Sequence, residues 1–71
     1  MFYYQSKVGL FTIQPFQDGF GLFIDDDLLG VYSSAVAAAD DVYTHTTGYF
    51  EWDSLDGKVT PPTDVYEWQR S

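Results

Sequence analysis

The stretch KVGLFTIQPFQDGFGLFIDDDLLGVY, residues 7–32, decides the fold because runs of β-forming residues alternate in it with turn signals. The three runs are residues 7–15, 19–24 and 28–32. Asp18-Gly19 is typical of a tight hairpin, and the three aspartates at 25–27 indicate a second turn. We therefore expect a β-meander of three antiparallel strands.

Side chains alternate between the two faces of each predicted strand. The residues expected on the inner faces are Phe11 and Ile13 in the first strand and Phe20, Leu22 and Ile24 in the second. Gly21 falls on the opposite face, where the absence of a side chain lets a large ring or another backbone come close. Pro15 is expected to end the first strand or its pairing, because proline has no backbone N–H.

The periodicity changes after the third strand. Ser33 and Ser34 precede AVAAADDVYTH, a pattern that predicts an N-capped helix over residues 33–47. Ala35, Ala38, Ala39 and Val42 recur at helical spacing. Asp40 and Asp41 are expected on the outer face of this helix, and Gly48 suits its left-handed C-terminal cap.

The last third of the chain is less regular. Residues 49–52 are aromatic and are predicted to be extended, which could add a fourth short strand. Residues 63–68 predict one or two helical turns capped by Thr63. The expected fold is a single α+β domain over residues 1–71, with a three-stranded antiparallel meander packed on one α-helix and a short C-terminal helical turn. The predicted core is Phe11, Ile13, Phe20, Leu22, Ile24, Val31, Ala35, Ala38, Val42, Trp52 and Trp68.

Charge excludes several classes of partner. The chain has eleven Asp and Glu against three Lys and Arg, for a formal charge of −8. Nucleic acids and anionic membranes are bound largely through clustered cations, so neither is an expected partner. A cationic protein partner is compatible with the charge. The sequence has no signal peptide and no apolar run of about 20 residues, which predicts a cytoplasmic protein.

The residues offer little catalytic chemistry. There is no Cys, and His45 is the only histidine. His45 could be a general base or metal ligand, although a histidine near a helix end is also favoured by the helix dipole. The three adjacent aspartates at 25–27 lack the alternating spacing of a calcium loop and fit a solvated turn better. We predict no catalytic residue, no metal and no cofactor, and therefore no enzyme.

Aromatic residues supply the strongest candidate for a binding surface. Fourteen of the 71 residues are Phe, Tyr or Trp. Trp52 and Trp68 are expected to be structural, because a small domain without disulfides needs large core residues. The predicted binding residues are Phe2, Tyr3, Tyr4 and Tyr66. They favour a non-catalytic module that binds another protein or a second copy of this chain. The alternative is a small-molecule or metal-binding domain that uses His45 and nearby acidic residues.

An ordered set of short motifs runs along most of the chain between Val8 and Trp68. The motifs are GLFTIQP, GFGLFI, LLGVYSS, AAADDVYTHTTG, EWD and PPTDVYEW. In these motifs the chain resembles a family of small bacterial proteins of unknown function. Its order of meander and helix is also similar to the ββα units of the YegP-like domain. The resemblance implies the α+β fold and carries no activity, cofactor or site residue.

Overall fold

A computed structural model describes residues 1–71. Its elements, in chain order, are β1 (Phe2–Gln5), β2 (Leu10–Phe16), β3 (Gly19–Ile24), β4 (Asp27–Tyr32), α1 (Ala35–Tyr43), α2 (Phe50–Asp53), a 3-10 helix (Val65–Glu67) and β5 (Gln69–Arg70). The fold is α+β, and the strands form one antiparallel sheet in the order β4-β3-β2-β1-β5. None of the helices has the length and apolar character needed to cross a membrane.

The sheet has five strands, where the sequence predicted three. The predicted meander is present as β2, β3 and β4, and it is extended by two strands from the chain ends. β1 pairs with β2 over four residues, and β5 pairs with β1 over two. β1 was missed because FYYQ has no alternation of apolar and polar residues, and two residues of β5 are too few to give a pattern.

The sequence predicted that Pro15 would end the first strand or its pairing, but β2 continues past it. Pro15 pairs with Phe20, and the strand continues to Phe16 opposite Gly19. β1 covers β2 only between Leu10 and Ile13, so β2 has an open side at Pro15. A residue without an N–H is tolerated next to such an open side.

Helix α1 begins as predicted and ends earlier. The Ser34 hydroxyl caps it by accepting a hydrogen bond from the Ala37 N–H at 3.1 Å. The helix ends at Tyr43 rather than at residue 47, and His45, not Gly48, follows it in the left-handed region with φ of 57°. The β-branched residues of the THTTG run are poor helix formers, which favours this early end.

The segment at residues 49–52 is not extended, contrary to the prediction. Phe50–Asp53 forms the short helix α2. The turn near the C-terminus is the 3-10 helix, as expected, but Asp64 caps it in place of Thr63. The Asp64 carboxylate accepts a hydrogen bond from the Tyr66 N–H at 2.8 Å.

The core lies between one face of the sheet and the three helical elements. Its ten buried apolar residues are Phe11, Ile13, Leu22, Ile24, Ala38, Ala39, Val42, Trp52, Val65 and Trp68. Phe20 and Ala35 pack against them and are half-buried. Val31 was predicted in this core and is instead 48% exposed. A register shift between Leu22 and Phe23 sets the facing of β4, so that Val31 lies opposite Gly21 on the other face.

Tyr32 links the sheet to helix α1, and its hydroxyl gives the fold a dependence on alkaline pH. The hydroxyl donates a hydrogen bond to Asp41 Oδ2 at 2.7 Å, so Asp41 is half-buried rather than fully on the outer face as predicted. Burial, followed by the hydrogen bond and the charge of Asp41, raises the pKa of Tyr32 well above its ordinary value. The neutral phenol is therefore favoured in the folded state.

A folded-state pKa above the unfolded value near 10 gives stabilisation that is complete below about pH 10 and is lost as the pH rises through the folded-state pKa. We expect Tyr32→Phe to lower the free energy of unfolding by about 1 kcal/mol near neutral pH. Above about pH 10, the free energy of unfolding should fall less steeply in this variant than in the native chain. Urea unfolding at about pH 8 and about pH 11 measures both effects, and Tyr66→Phe is the exposed control. Equal pH dependence of the native chain and Tyr32→Phe would contradict the assignment.

Candidate functional site

The four predicted binding residues do not form one exposed patch. Phe2 and Tyr4 pair with Ile13 and Phe11 and pack against the core, whereas Tyr3 between them points to the opposite face of the sheet. Tyr66 is 71% exposed in the 3-10 helix.

Tyr4 is held by other rings. It stacks on Phe11 at 6.3 Å between centroids and meets the edge of Trp52 at 6.2 Å. Burial raises the pKa of the Tyr4 hydroxyl. Tyr3 and Tyr4 border a depression of about 250 Å³ beside the short β5, together with Gln5, Glu67, Trp68 and Gln69. Tyr4 therefore has a structural role at the margin of the core and is half-buried.

An apolar surface lies on the face of the sheet opposite the helices. Four residues form it, and we call them the outer cluster: Phe16, Phe23, Leu28 and Val31. The rings of Phe16 and Phe23 meet edge to face with centroids 5.7 Å apart. Leu28 pairs with Phe23, and Val31 pairs with Gly21.

Gly21 leaves the space in which side chains of the outer cluster meet. A Cβ atom at this position would lie 2.8 Å from the Phe23 ring and 3.0 Å from Phe16 Cβ, which is closer than side chains tolerate. It would also lie 3.3 Å from Leu28 Cδ1. Three side chains of the cluster therefore converge over a backbone position that has no side chain. The sequence indicated such a close approach at Gly21.

Nothing in the chain covers the outer cluster. The helical elements contribute their buried residues to the core on the inner face, with Phe11, Ile13, Leu22 and Ile24 of the sheet. On the outer face Leu28 is 44% exposed and Val31 is 48% exposed. A row of paired residues extends this surface across the sheet, from Leu28 through Phe23 and Thr12 to Tyr3. One predicted binding residue, Tyr3, thus lies on the same face.

Carboxylates stand at both ends of the outer cluster. Asp18 lies in the turn between β2 and β3, and Asp25 and Asp26 lie in the turn between β3 and β4. Asp25 holds its turn in place, because its Oδ1 accepts a hydrogen bond from the Leu10 N–H at 3.0 Å and its φ is 51°. Asp26 is exposed. The surface therefore combines apolar side chains with an acidic margin.

His45 forms a second, smaller candidate site at the end of α1. Its ring stacks on Trp52 with centroids 4.5 Å apart and planes 13° apart, and its side chain is 2% exposed. Neither ring nitrogen has a hydrogen-bond partner, and the nearest carboxylate oxygen, Asp56 Oδ1, is 3.7 Å from Nδ1. The ring borders a depression of about 180 Å³ whose other lining residues are Tyr43, Asp56, Gly57, Val59, Thr60 and Pro61.

The surroundings of His45 limit its chemistry. A general base needs a partner that orients it, and no side chain lies within hydrogen-bond distance of either nitrogen. No group of three or more His, Cys, Asp or Glu side chains is arranged to hold a metal ion. A metal at this position would have two protein ligands, fewer than the three or four typical of protein zinc sites.

Sequence reasoning missed three of the four residues of the outer cluster and misplaced the fourth. Phe23 could have been found, because it shares the face of Gly21 in the alternation of β3. Phe16 could not, because the strand was expected to end at Pro15. Leu28 also alternates outward from the inward Val31 that the sequence predicted, so it could have been found. Val31 could not, because the irregularity between β3 and β4 inverts the facing of β4 after Leu28.

Comparison with known proteins gave no relative. No protein-family model, curated protein or solved structure matches the chain. The resemblance to a family of small bacterial proteins therefore stays a prediction from the motifs.

Proposed function

We propose that this protein is a non-catalytic interaction module that binds another protein through the outer cluster. The observation that carries the proposal is an apolar group on the outer face of a sheet whose other face is used by the core. In it Leu28 and Val31 are exposed and Phe16 and Phe23 are half-buried. Large contiguous apolar patches are uncommon on the surface of monomeric proteins and often mark a binding site. Aromatic residues are also enriched in protein interfaces relative to the rest of the surface.

The outer cluster suits a binding surface because it is rigid. Each member lies on a strand rather than on a loop, and the three strands are paired to one another along their length. Little conformational entropy is lost when a rigid surface binds. Tyr3, which the sequence indicated as a binding residue, would extend the contact along the row through Thr12.

Charge favours a different protein over a second copy of the chain. Two copies would each carry −8, and the carboxylates at the margins of the outer cluster would approach one another in a dimer formed through this face. Like charges brought together at an interface oppose association. Self-association, which the composition left open, is therefore the less favoured form of the proposal.

The test compares two valines of nearly equal exposure. Val31 of the outer cluster is 48% exposed, and Val36 on α1 is 45% exposed. We expect Val31→Ser to weaken binding of a protein partner by about 1–2 kcal/mol, or roughly 5- to 30-fold, and Val36→Ser to leave it unchanged. The native chain and both variants are immobilised and exposed to lysate of the source cells, and captured proteins are quantified by mass spectrometry.

A partner that the native chain and Val36→Ser retain and Val31→Ser loses supports the proposal. Equal capture by all three chains contradicts it, and so does equal loss in both variants. Both substitutions are at exposed positions, so each should change the free energy of unfolding by no more than about 0.5 kcal/mol. Urea unfolding of the three chains checks that the comparison concerns binding rather than folding.

A second candidate function is the binding of a small polar ligand or metal ion at His45. The observation that favours it is the pair of buried ring nitrogens without partners, because a buried polar atom usually has one. Asp56 would be the acidic neighbour. Titration of the isotopically labelled chain with Zn²⁺, followed by the NMR signals of the His45 ring, tests it. No shift of these signals at millimolar zinc would remove the metal form of this candidate, and His45→Gln is the matched control.

A further inference from the structure

We infer that the partner segment that docks on the outer cluster is cationic and rich in arginine. The inference rests on the proposed function and specifies the partner of the same surface. It follows from the distribution of charge around the cluster.

The strands that carry the outer cluster have acidic residues and no basic ones. Residues 10–32 contain four aspartates, Asp18, Asp25, Asp26 and Asp27, and no Lys or Arg. All four are exposed. Asp18, Asp25 and Asp26 lie in the two turns, and Asp27 begins β4, so carboxylates stand at both ends of the strands that carry the apolar surface.

These carboxylates are not neutralised within the chain. No Lys or Arg forms a salt bridge with a carboxylate, and the one contact of a histidine with a carboxylate, His45 Nδ1 to Asp56 Oδ1 at 3.7 Å, lies on the other side of the sheet. Lys7 and Lys58 lie outside residues 10–32, and Arg70 lies over the ring of Phe2, with its Cζ 6.0 Å from the ring centroid. A bound partner therefore meets a net negative field at both margins of the cluster, which a cationic segment would complement.

Arginine fits this surface better than lysine. Phe16 and Phe23 present aromatic rings on the outer face, and a guanidinium stacks on an aromatic ring more readily than an ammonium does. Its aliphatic stem can cover Leu28 and Val31, while the charged end reaches the carboxylates of the turns. A nucleic acid, an anionic membrane and a second copy of this chain all carry the wrong charge.

The probe is a blocked octapeptide of alternating arginine and valine, titrated into the isotopically labelled chain and followed by NMR. We expect the largest changes in amide shift at Phe16, Phe23, Leu28 and Val31. A matched peptide with glutamine in place of arginine should bind at least about 10-fold more weakly, since it forms no charge pairs with the carboxylates. Raising salt from about 0.1 M to 1 M, which shortens the Debye length from about 10 to 3 Å, should weaken the arginine peptide several-fold.

A pair of charge variants locates the effect. Asp26→Asn removes an exposed carboxylate next to the cluster, and Asp40→Asn removes an exposed one on α1. We expect Asp26→Asn to weaken binding of the arginine peptide about two- to five-fold and Asp40→Asn to leave it unchanged.

Absence of binding at millimolar peptide, equal affinity for the glutamine peptide, or equal effects of the two Asn variants would overturn the inference. The proposed function fails by a different result. If Val31→Ser loses its captured partner while the arginine peptide does not bind, only the inference is wrong. If the peptide binds with shifts away from the outer cluster and Val31→Ser keeps its partner, the contact surface itself is wrong.

Discussion

Replacing Trp52 with alanine is expected to lower the free energy of unfolding by about 3–5 kcal/mol. Domains of this size have a total stability of only about 4–10 kcal/mol. The substitution should therefore remove about half of the stability or more, and the melting temperature should fall accordingly. Trp52 is fully buried and belongs to the core that joins the sheet to the helices.

The large effect comes from the contacts of the Trp52 ring. The indole meets Phe11 edge to face at 5.1 Å and Tyr4 at 6.2 Å, and it is stacked on His45 at 4.5 Å. Its Nε1–H donates a hydrogen bond to the Val42 carbonyl oxygen at 2.9 Å, which fixes the end of α1. A Trp52→Phe variant keeps most of the apolar contact and removes this donor, while the carbonyl keeps its hydrogen bond from the His45 N–H at 3.2 Å, so about 1–2 kcal/mol should be lost.

Phe50 provides the control on the same helix. It is 76% exposed, so Phe50→Ala should change the free energy of unfolding by less than about 0.5 kcal/mol. Urea unfolding followed by circular dichroism measures all three variants. If Trp52→Ala and Phe50→Ala had similar midpoints, the core would not depend on the aromatic contacts described above.

The fold could be predicted from the sequence where a periodic pattern meets a defined end signal. β2 and β3 alternate in their inner residues, and the Ser34 cap begins α1 where the periodicity changes. Both signals depend on residues close together in the chain. Trp52 and Trp68 were also correctly assigned to the core, because a chain of this size has to bury its largest side chains.

Elements that depend on distant partners could not be predicted. β1 exists because its residues pair with Leu10–Ile13, and β5 exists because Arg70 and Gln69 reach Phe2 and Tyr3. The outer cluster likewise depends on pairing between residues far apart in the chain. Its facing depends on the register between β3 and β4, which sequence spacing does not determine when a strand contains an irregularity.

The helix α2 is the clearest case of tertiary interactions overriding a local pattern. Tyr49, Phe50 and Trp52 are residues that favour strands, and the sequence predicted an extended segment. The segment is helical because Asp53 at its end turns back and binds the loop that precedes it. Asp53 accepts hydrogen bonds from the Thr47 N–H at 3.0 Å, the Thr47 hydroxyl at 2.8 Å and the Gly48 N–H at 2.8 Å.

Removing these three bonds with Asp53→Ala is expected to lower the free energy of unfolding by about 2–3 kcal/mol. Thr47 is buried, so its N–H and hydroxyl would lose their partner in a place that water reaches poorly. The same substitution should increase the rate of amide hydrogen exchange at Thr47 and Gly48 more than at the strands of the sheet. Urea unfolding and exchange followed by NMR measure the two effects.

Two variants separate the hydrogen bonds from the charge. Asp53→Asn keeps one acceptor oxygen and should cost about 1 kcal/mol, which is intermediate between the native chain and Asp53→Ala. Glu51→Ala removes an exposed acidic side chain from the same helix and should change stability by less than about 0.5 kcal/mol. Equal losses of stability for Asp53→Ala and Glu51→Ala would mean that the negative charge on this helix, and not the bonds to Thr47 and Gly48, sets the stability of this segment. These bonds tie the loop to α2, the helix that carries Trp52 into the core, so the Asp53 and Trp52 variants should be non-additive when combined.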